Sequence, residues 1–177
     1  RADDTYLTCS NLAHLAGFSC FISLILGNTL VLFDRFKSES FVAAIRNRHV
    51  TRVSLVPTLI VRLLEDPRFS ADDLADVRKI IYGGAPLPSG QAKRIVDSLP
   101  CDFEVAYGST ETCCISVLTG DDHRQAVSEH AHLGRLESVG RPLSCVEVAI
   151  VDADESPVQV GCIGEISVKS PLMYQGY

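Results

Sequence analysis

The sequence predicts an α/β fold in which a mainly parallel sheet with flanking helices is followed by a small β-rich region. Short β-branched runs alternate with helical patterns between Thr29 and Ala106, which is typical of repeated βαβ units. After about Leu118 the runs alternate between apolar and polar residues, as antiparallel strands do. A hydrophobic content of 46% in 177 residues is enough for a folded core. We therefore expect two subdomains, at 1–118 and 119–177.

In the first subdomain, β-branched runs predict the strands and helical spacing of apolar residues predicts the helices. The strands are expected at Thr29–Phe33, Arg52–Val56, Lys79–Tyr82 and Phe103–Ala106. The helices are expected at Leu12–Leu26, Ser40–Arg48, Pro57–Glu65 and Ser89–Leu99. Pro57 and Pro88 suit the first turn of a helix, which tolerates proline. The first of these helices is so apolar that we expect it to be well buried.

The second subdomain begins with the polar stretch Thr119–Glu137 and continues with two alternating runs, Cys145–Asp152 and Cys162–Lys169. We expect these runs to be antiparallel strands, with hairpin turn chemistry at 153–157. The polar stretch contains several residues that could ligate a metal, namely Asp121, Asp122, His123, Glu129, His130 and His132. Their spacing fits no standard zinc pattern, so we expect a solvated surface there.

Charge and cysteine usage exclude several classes of protein. The formal charge of −6 without a dense Lys/Arg cluster argues against nucleic-acid binding. Seven cysteines, an odd number without framework or zinc spacing, predict reduced thiols and a cytoplasmic location. The apolar run Leu15–Leu26 is shorter than the ~20 residues that a membrane-spanning helix needs. Cys113-Cys114 has no base or cation nearby in sequence, so we expect these thiols to pack rather than react.

Two glycine-bearing loops follow predicted strands of the parallel sheet. Gly83-Gly84-Ala85 follows Lys79–Tyr82, and Gly108-Ser109-Thr110 follows Phe103–Ala106. Ligands of parallel sheets bind outside the carboxyl ends of the strands, so one shared crevice is expected. Glycine lets a flat base or an acyl chain lie against the backbone, and Tyr107 could stack on the base. Ordinary strand-to-helix turns are the alternative interpretation.

Three segments resemble signature motifs of the adenylate-forming (AMP-binding) enzymes, in the branch of acyl-CoA synthetases, aryl-CoA ligases and luciferase-like proteins. They are Tyr107-Gly108-Ser109-Thr110-Glu111, then Tyr82-Gly83-Gly84-Ala85-Pro86-Leu87-Pro88, and then Val139-Gly140-Arg141-Pro142-Leu143 with Gly164-Glu165-Ile166 and Gly176-Tyr177. Their order and spacing also resemble the family, from about Thr5 to Tyr177. The resemblance implies the second α/β subdomain of the family fold, followed by part of a distorted β-barrel.

The resemblance also implies a function and site residues. The function is that of an ATP-dependent carboxylate–CoA ligase, using ATP, Mg²⁺ and coenzyme A. The nucleotide would be bound by Gly83, Gly84, Ala85, Pro86, Ala106, Tyr107, Gly108, Ser109 and Thr110. The Thr110 hydroxyl would donate to an α-phosphate oxygen, and Glu111 would bind Mg²⁺. Both are therefore expected to be catalytic.

His14 resembles the catalytic histidine of the acyl-CoA synthetase branch, which lies near the reacting carboxyl. The family commonly has Pro-x-Phe-His where this chain has Asn11-Leu12-Ala13-His14, and a buried core histidine is the alternative. No acidic residue occurs between Thr5 and Phe33 to pair with an ammonium group, which favours fatty or aryl acids over amino acids. The expected acyl pocket is lined by some of His14, Phe18, Tyr82, Gly83, Gly84, Ala106, Gly108 and Thr112.

The chain resembles a central piece of a longer enzyme, since it begins at Arg1 and ends at Tyr177. The resemblance places the phosphate loop, the ribose-binding Asp and the C-terminal Lys outside it, and we expect the piece alone to be inactive. Alternatives are an adenylation domain that loads a carrier protein, and a non-catalytic nucleotide- or acyl-binding module. A flavodoxin-like regulatory domain is a further alternative, but Asp34 lacks the acidic partners that such a site needs.

Overall fold

The computed structural model describes residues 3–128 and 130–176. Glu129 and Tyr177 therefore lie outside the described residues, as do the side chains of His130 and His132. Within the described part of the chain, no helix is long and apolar enough to cross a membrane. The seven cysteines are all free thiols.

A seven-stranded sheet forms the centre of the fold, with the strand order β2-β1-β3-β4-β5-β6-β7. Its strands are β1 Thr5–Thr8, β2 Thr29–Leu32, β3 Arg52–Leu55, β4 Lys79–Gly83, β5 Asp102–Ser109, β6 Cys113–Leu118 and β7 Arg141–Pro142. The first five strands pair in parallel, whereas β6 and β7 are antiparallel to their neighbours. The predicted mainly parallel sheet is confirmed.

In the part of the chain that the structure describes, five α-helices connect or flank these strands. They are α1 Leu15–Ile25, α2 Ser38–Arg48, α3 Pro57–Glu65, α4 Ser89–Ser98 and α5 Gly120–Ser128. Short 3₁₀ helices occupy Ala71–Leu74 and His130–Glu137. The first four α-helices match the helical periodicity of the sequence, and α3 begins at Pro57 as expected.

The main core lies on one face of the sheet. Side chains that alternate along the strands, such as Val53, Leu55, Ile80 and Tyr82, are buried there with residues of α2, α3, α4 and α5. Alternation places Ser54 and Ile81 on the opposite face. The glycine-bearing loops at the carboxyl ends of β4 and β5 thus follow strands that contribute Ile80, Tyr82 and Phe103 to the packed core.

The expectation of a well-buried first helix is wrong. Among the described side chains of α1, only a narrow stripe at Ala16, Cys20 and Ser23 is buried, whereas Phe21 and Ile25 are 62% and 69% exposed. The buried positions recur at intervals of three or four residues, so α1 contacts the sheet along one edge only. The apolar composition of α1 would allow the whole helix to be buried. Within this chain, however, other residues cover only the stripe that faces the sheet.

The polar stretch after Leu118 is only partly the solvated surface that was expected, since Asp121 and Arg124 are exposed but other polar side chains are not. Residues 120–128 form α5, in which Asp122 and His123 are buried and Ala126 belongs to the main core. Thr119 and Asp122 hydrogen-bond each other reciprocally at the start of α5, which is the pattern of a capping box. No group of metal-binding side chains occurs in residues 3–128 and 130–176.

A separate two-stranded sheet follows, made of β8 Glu147–Val151 and β9 Glu165–Lys169. The strands are antiparallel, with Val148 opposite Val168, as the alternating runs predicted. The β-barrel to which the resemblance assigns them stays a prediction, as does the division after Leu118. Residues on both sides of Leu118 contribute to the main core and the large sheet, through Ala126 of α5 and the pairing of β7 with β6.

Candidate active site

The two glycine-bearing loops lie side by side because their strands are neighbours in the sheet. Gly83 at the end of β4 pairs in parallel register with Ala106 of β5. Gly84 has a φ of 78°, a left-handed conformation that other residues rarely adopt. The backbone turns at Gly84 into the segment before α4. Gly83, Gly84 and Ala106 line cavities at the carboxyl ends of these strands, where a crevice was expected.

The second loop is not the ordinary strand-to-helix turn of the alternative interpretation. β5 continues to Ser109, and the chain returns at once as β6, so that residues 110–112 connect an antiparallel hairpin. The register shifts between Tyr107 and Gly108, where the strand contains a bulge or irregularity. Tyr107 and Gly108 are thus held by strand pairing, and only the tip of the hairpin is a loop.

Side-chain hydrogen bonds close the hairpin tip. The Ser109 N–H donates to Thr112 Oγ1 at 3.0 Å, and the Thr112 N–H donates to Ser109 Oγ at 3.2 Å. The Glu111 carbonyl accepts from the Tyr174 N–H at 2.7 Å, so a distant segment also fixes the tip. Thr110 and Glu111 stand at the exposed apex between the two bonded hydroxyl residues.

A cavity of about 580 Å³ opens on the core-side face of these loops. The residues that line it include Tyr82, Gly84, Ala85, Pro86, Tyr107 and Val139. Its far wall is the segment Leu136–Val139, which the sequence analysis did not assign to the site. The Glu137 carboxylate accepts from the Ser89 N–H at 3.3 Å, which joins this wall to the first turn of α4.

A larger cavity of about 950 Å³ opens on the other side of the same loops. Residues shared with the smaller cavity form the boundary between them, namely Gly83, Gly84, Ala106, Tyr107 and Gly108. The remaining lining includes His14, Phe18, Phe21, Ser109, Thr110 and Cys114. His14 precedes the first turn of α1 and is exposed, so the alternative of a buried core histidine is wrong.

Two residues of the expected acyl pocket lie elsewhere. Tyr82 lines the smaller cavity, because it alternates with Gly83 along β4 and points to the opposite face of the sheet. Thr112 is not among the lining residues of either cavity within the described chain, since its hydroxyl is bonded to Ser109. Glu111 lies next to the lining residue Thr110 rather than in a cavity wall.

The larger cavity is also lined by residues that sequence reasoning missed. These are Cys9 and Ser10, which follow β1, a four-residue strand that was not predicted. Cys113 and Cys114, which we expected to pack rather than react, begin β6 and line the same cavity. Burial raises the pKa of Cys9 to about 11 and also raises that of Cys114. These two thiols are therefore protonated near neutral pH and act as apolar wall rather than as nucleophiles.

The cavity linings contain little charge. Among the described residues, neither wall includes a lysine or an arginine, and His14 and Glu137 are the only ionisable lining residues other than tyrosines and cysteines. Such a lining suits a neutral ring and an apolar chain.

Comparison with known proteins agrees with these features. A family model described as AMP-binding enzyme matches residues 1–177. The chain belongs to this family. Other AMP-binding proteins resemble it over almost its whole length, among them a feruloyl-CoA synthase from an Amycolatopsis species, 31% identical over 99% of the chain.

Solved structures of AMP-binding enzymes share the fold. The amide bond synthetase McbA from Marinactinospora thermotolerans superposes with a TM-score of 0.87 at 32% identity, over 98% of this chain and 34% of that one. The O-succinylbenzoate coenzyme A synthetase MenE from Bacillus subtilis, in complex with AMP, gives 0.83 at 30% identity, over 100% of this chain and 34% of that one. The feruloyl-CoA synthase is likewise covered over 34% of its length, so the chain spans about a third of these relatives.

Proposed function

We propose that this chain is the acid- and nucleotide-binding part of an ATP-dependent carboxylate–CoA ligase. The observation that carries the proposal is the meeting of two cavities at the same residues, Gly83-Gly84 and Ala106–Gly108. An adenine nucleotide in the smaller cavity and an acyl chain in the larger one would bring their reacting ends together there. The site residues keep their predicted roles, with Ala85 and Pro86 beside the base and Ser109 beside the phosphates.

The proposed reaction joins two anions, so neutralisation of charge is its main requirement. A carboxylate oxygen attacks the α-phosphorus of ATP, the bond to the β-phosphate breaks, and pyrophosphate leaves. A thiol then attacks the acyl carbon, and AMP departs with the electron pair of the acyl–oxygen bond. Thr110 at the hairpin tip would donate its hydroxyl to an α-phosphate oxygen, and His14 across the larger cavity would lie near the carboxyl.

The residues present fit a magnesium ion bound mainly through the nucleotide. Mg²⁺ in phosphoryl-transfer sites is commonly held by one or two carboxylates together with substrate phosphates. Glu111 offers one carboxylate at the tip, and no group of three metal-binding side chains occurs in the described residues. When bound, the ion would supply neutralisation of phosphate charge that the cavity linings lack.

The substrate class we propose is a fatty or aryl acid. The larger cavity is lined by Phe18, Phe21 and protonated thiols, and it contains no carboxylate among its described lining residues. An α-ammonium group would therefore have no partner in it. Feruloyl-CoA synthase, an enzyme named for an aryl acid, is among the similar proteins.

The acceptor of the acyl group is the least constrained part of the proposal. Relatives named as coenzyme A synthetases favour a thiol, whereas the amide bond synthetase is named for an amide product. A carrier protein would supply a thiol as well. A second candidate function, a binding module without turnover, is less well supported, because a pure binder has little need of the Mg²⁺ ligand that Glu111 would supply beside Thr110.

The test is acid-dependent pyrophosphate release by the complete protein. It would be measured across short, medium and long fatty acids and aryl acids, with coenzyme A, with an amine and with neither. Release that requires an acid, together with a thioester when coenzyme A is present, is the expected result. A folded protein that binds ATP but releases no pyrophosphate with any acid of the panel would contradict the proposed ligase activity. An amide product would show that the acyl acceptor is an amine instead of a thiol. The chain alone is expected to be inactive.

A further inference from the structure

His123 is a fully buried histidine with both ring nitrogens engaged. It is 1% exposed and lies in the first turn of α5. Its Nδ1 is 2.8 Å from the Thr119 carbonyl oxygen, and its Nε2 is 2.8 Å from the Tyr82 hydroxyl. A carbonyl oxygen can only accept, so Nδ1 carries the proton and Nε2 accepts from the tyrosine O–H.

This hydrogen bond fixes the far end of a side chain that forms part of the smaller cavity. Tyr82 lines that cavity and immediately precedes Gly83-Gly84. Its backbone is held between β3 and β5, and its hydroxyl is held by His123. The His123 ring also packs edge-on against Tyr82 and tilted against Phe103, with centroids 5.8 and 6.5 Å apart. The tyrosine ring is therefore fixed at both ends.

The turn that presents His123 is itself anchored to the opposite wall of the cavity. The Thr119 hydroxyl donates to Asp122 Oδ2 at 2.7 Å, and an Arg141 guanidinium N–H donates to Asp122 Oδ1 at 2.8 Å. Arg141 begins β7, directly after the wall segment Leu136–Val139 and Gly140. The first turn of α5 thus contacts Tyr82 through His123, and through Asp122 it contacts Arg141, which follows the opposite cavity wall.

We propose that His123 is a positioning residue of the nucleotide cavity, which fixes the Tyr82 ring and thereby sets the shape of the space for an adenine nucleotide. This inference rests on the proposed function, because it assumes that the smaller cavity receives the base. His123 does not touch the nucleotide; it acts through the tyrosine hydroxyl. Without that bond the ring can tilt into the cavity, and the unpaired Nε2 remains buried.

The test compares three variants in the complete protein: Tyr82→Phe, His123→Gln and Tyr6→Phe. Tyr82→Phe removes only the hydroxyl and is expected to weaken AMP binding roughly tenfold and to raise the KM for ATP in parallel, with a smaller effect on kcat. His123→Gln keeps an acceptor and is expected to retain part of the affinity. Tyr6→Phe removes another buried tyrosine hydroxyl from the same sheet, outside both cavities, and should leave AMP affinity unchanged.

The double variant separates positioning from general packing. If the two side chains act as a unit, His123→Gln adds little to the loss of affinity already caused by Tyr82→Phe. Additive losses, or an equal loss of AMP affinity in Tyr6→Phe, would overturn the inference. So would unchanged AMP affinity in folded Tyr82→Phe. If the wild-type protein binds no AMP, the proposed function fails first, which distinguishes the two failures.

Discussion

Gly108 lies so close to Cys113 that no side chain fits between them. A Cβ atom at position 108 would lie 1.8 Å from the Cys113 carbonyl oxygen and 3.1 Å from the Cys114 Cα. Both contacts are with backbone atoms of the paired strand β6, which cannot move without breaking the hairpin register. The glycine of the signature motif is thus required by the hairpin itself, apart from any ligand.

Gly108→Ala is expected to destabilise the protein by about 1–3 kcal/mol, because the added methyl overpacks the hairpin. The measurement is urea unfolding, combined with AMP affinity, since Gly108 also lines both cavities. Gly90→Ala is the matched control: it lies in α4 with no heavy atom within 4 Å of its Cβ, and it should be neutral or slightly stabilising. Equal stability of the two variants would contradict this account.

The carboxylate of Glu111 is expected to be needed for magnesium-dependent adenylate formation. Replacing it in the complete protein by Glu111→Gln keeps the shape but removes the charge, and should lower the rate ~10²-fold or more. The measurement is acyl-adenylate formation as a function of Mg²⁺ concentration. Glu65→Gln, an exposed position at the end of α3, serves as control and should behave like wild type. If Glu111→Gln lowers the rate of adenylate formation only a few-fold, Glu111 is not the magnesium ligand.

Much of the fold could be predicted from the sequence. In β3, β4 and the helix α3 between them, the apolar residues that set the local pattern are also the ones buried in the core. Strand β1, of four residues, and β6, which is separated from β5 by only three residues, were missed. The sequence does contain a loop signal at Gly108-Ser109-Thr110, but it does not show that the chain returns there as an antiparallel strand. The pairing of β6 with β5 is determined by tertiary contacts between the two strands, and the local composition around Ser109 does not predict it.

Burial was the harder property to predict for both α1 and α5. α1 is apolar but exposed on most of its surface, whereas α5 is polar yet contributes the buried His123. A side chain that satisfies both ring nitrogens internally can be buried without cost, and sequence periodicity treats it as polar. The one signal available for α5 was the spacing of Thr119 and Asp122, which matches a capping box.

His14 is expected to affect catalysis rather than folding, because its side chain is exposed in the larger cavity. His14→Ala in the complete protein should leave the urea midpoint unchanged while slowing adenylate formation, thioester formation or both. The two half-reactions would be measured separately by pyrophosphate release and by thioester yield. His49→Asn, at an exposed left-handed position after α2, is the control and should keep both rates. Unfolding of His14→Ala would instead indicate a structural role.

The stability of the protein is expected to fall with acid because His123 is neutral when folded. Burial lowers the pKa of His123 below its ordinary value of 6.5. The groups that face it are Tyr82 from β4, Phe103 and Glu104 from β5, and Thr119, Asp122 and Arg124 at the start of α5. The unfolded chain therefore takes up a proton near pH 6.5 while the folded chain does not, so stability is lost as the pH falls from there through the folded pKa.

The measurement is the free energy of unfolding in urea between pH 8 and 5, for wild type and His123→Gln. Wild type should lose stability progressively below about pH 6.5, and the variant should lose less over the same interval because position 123 no longer titrates. The carboxylates are shared by both proteins, so their contribution cancels in the difference. Parallel curves for the two proteins would mean that His123 takes up its proton equally in the folded and unfolded states, with the charged ring donating to the Tyr82 hydroxyl instead of accepting from it.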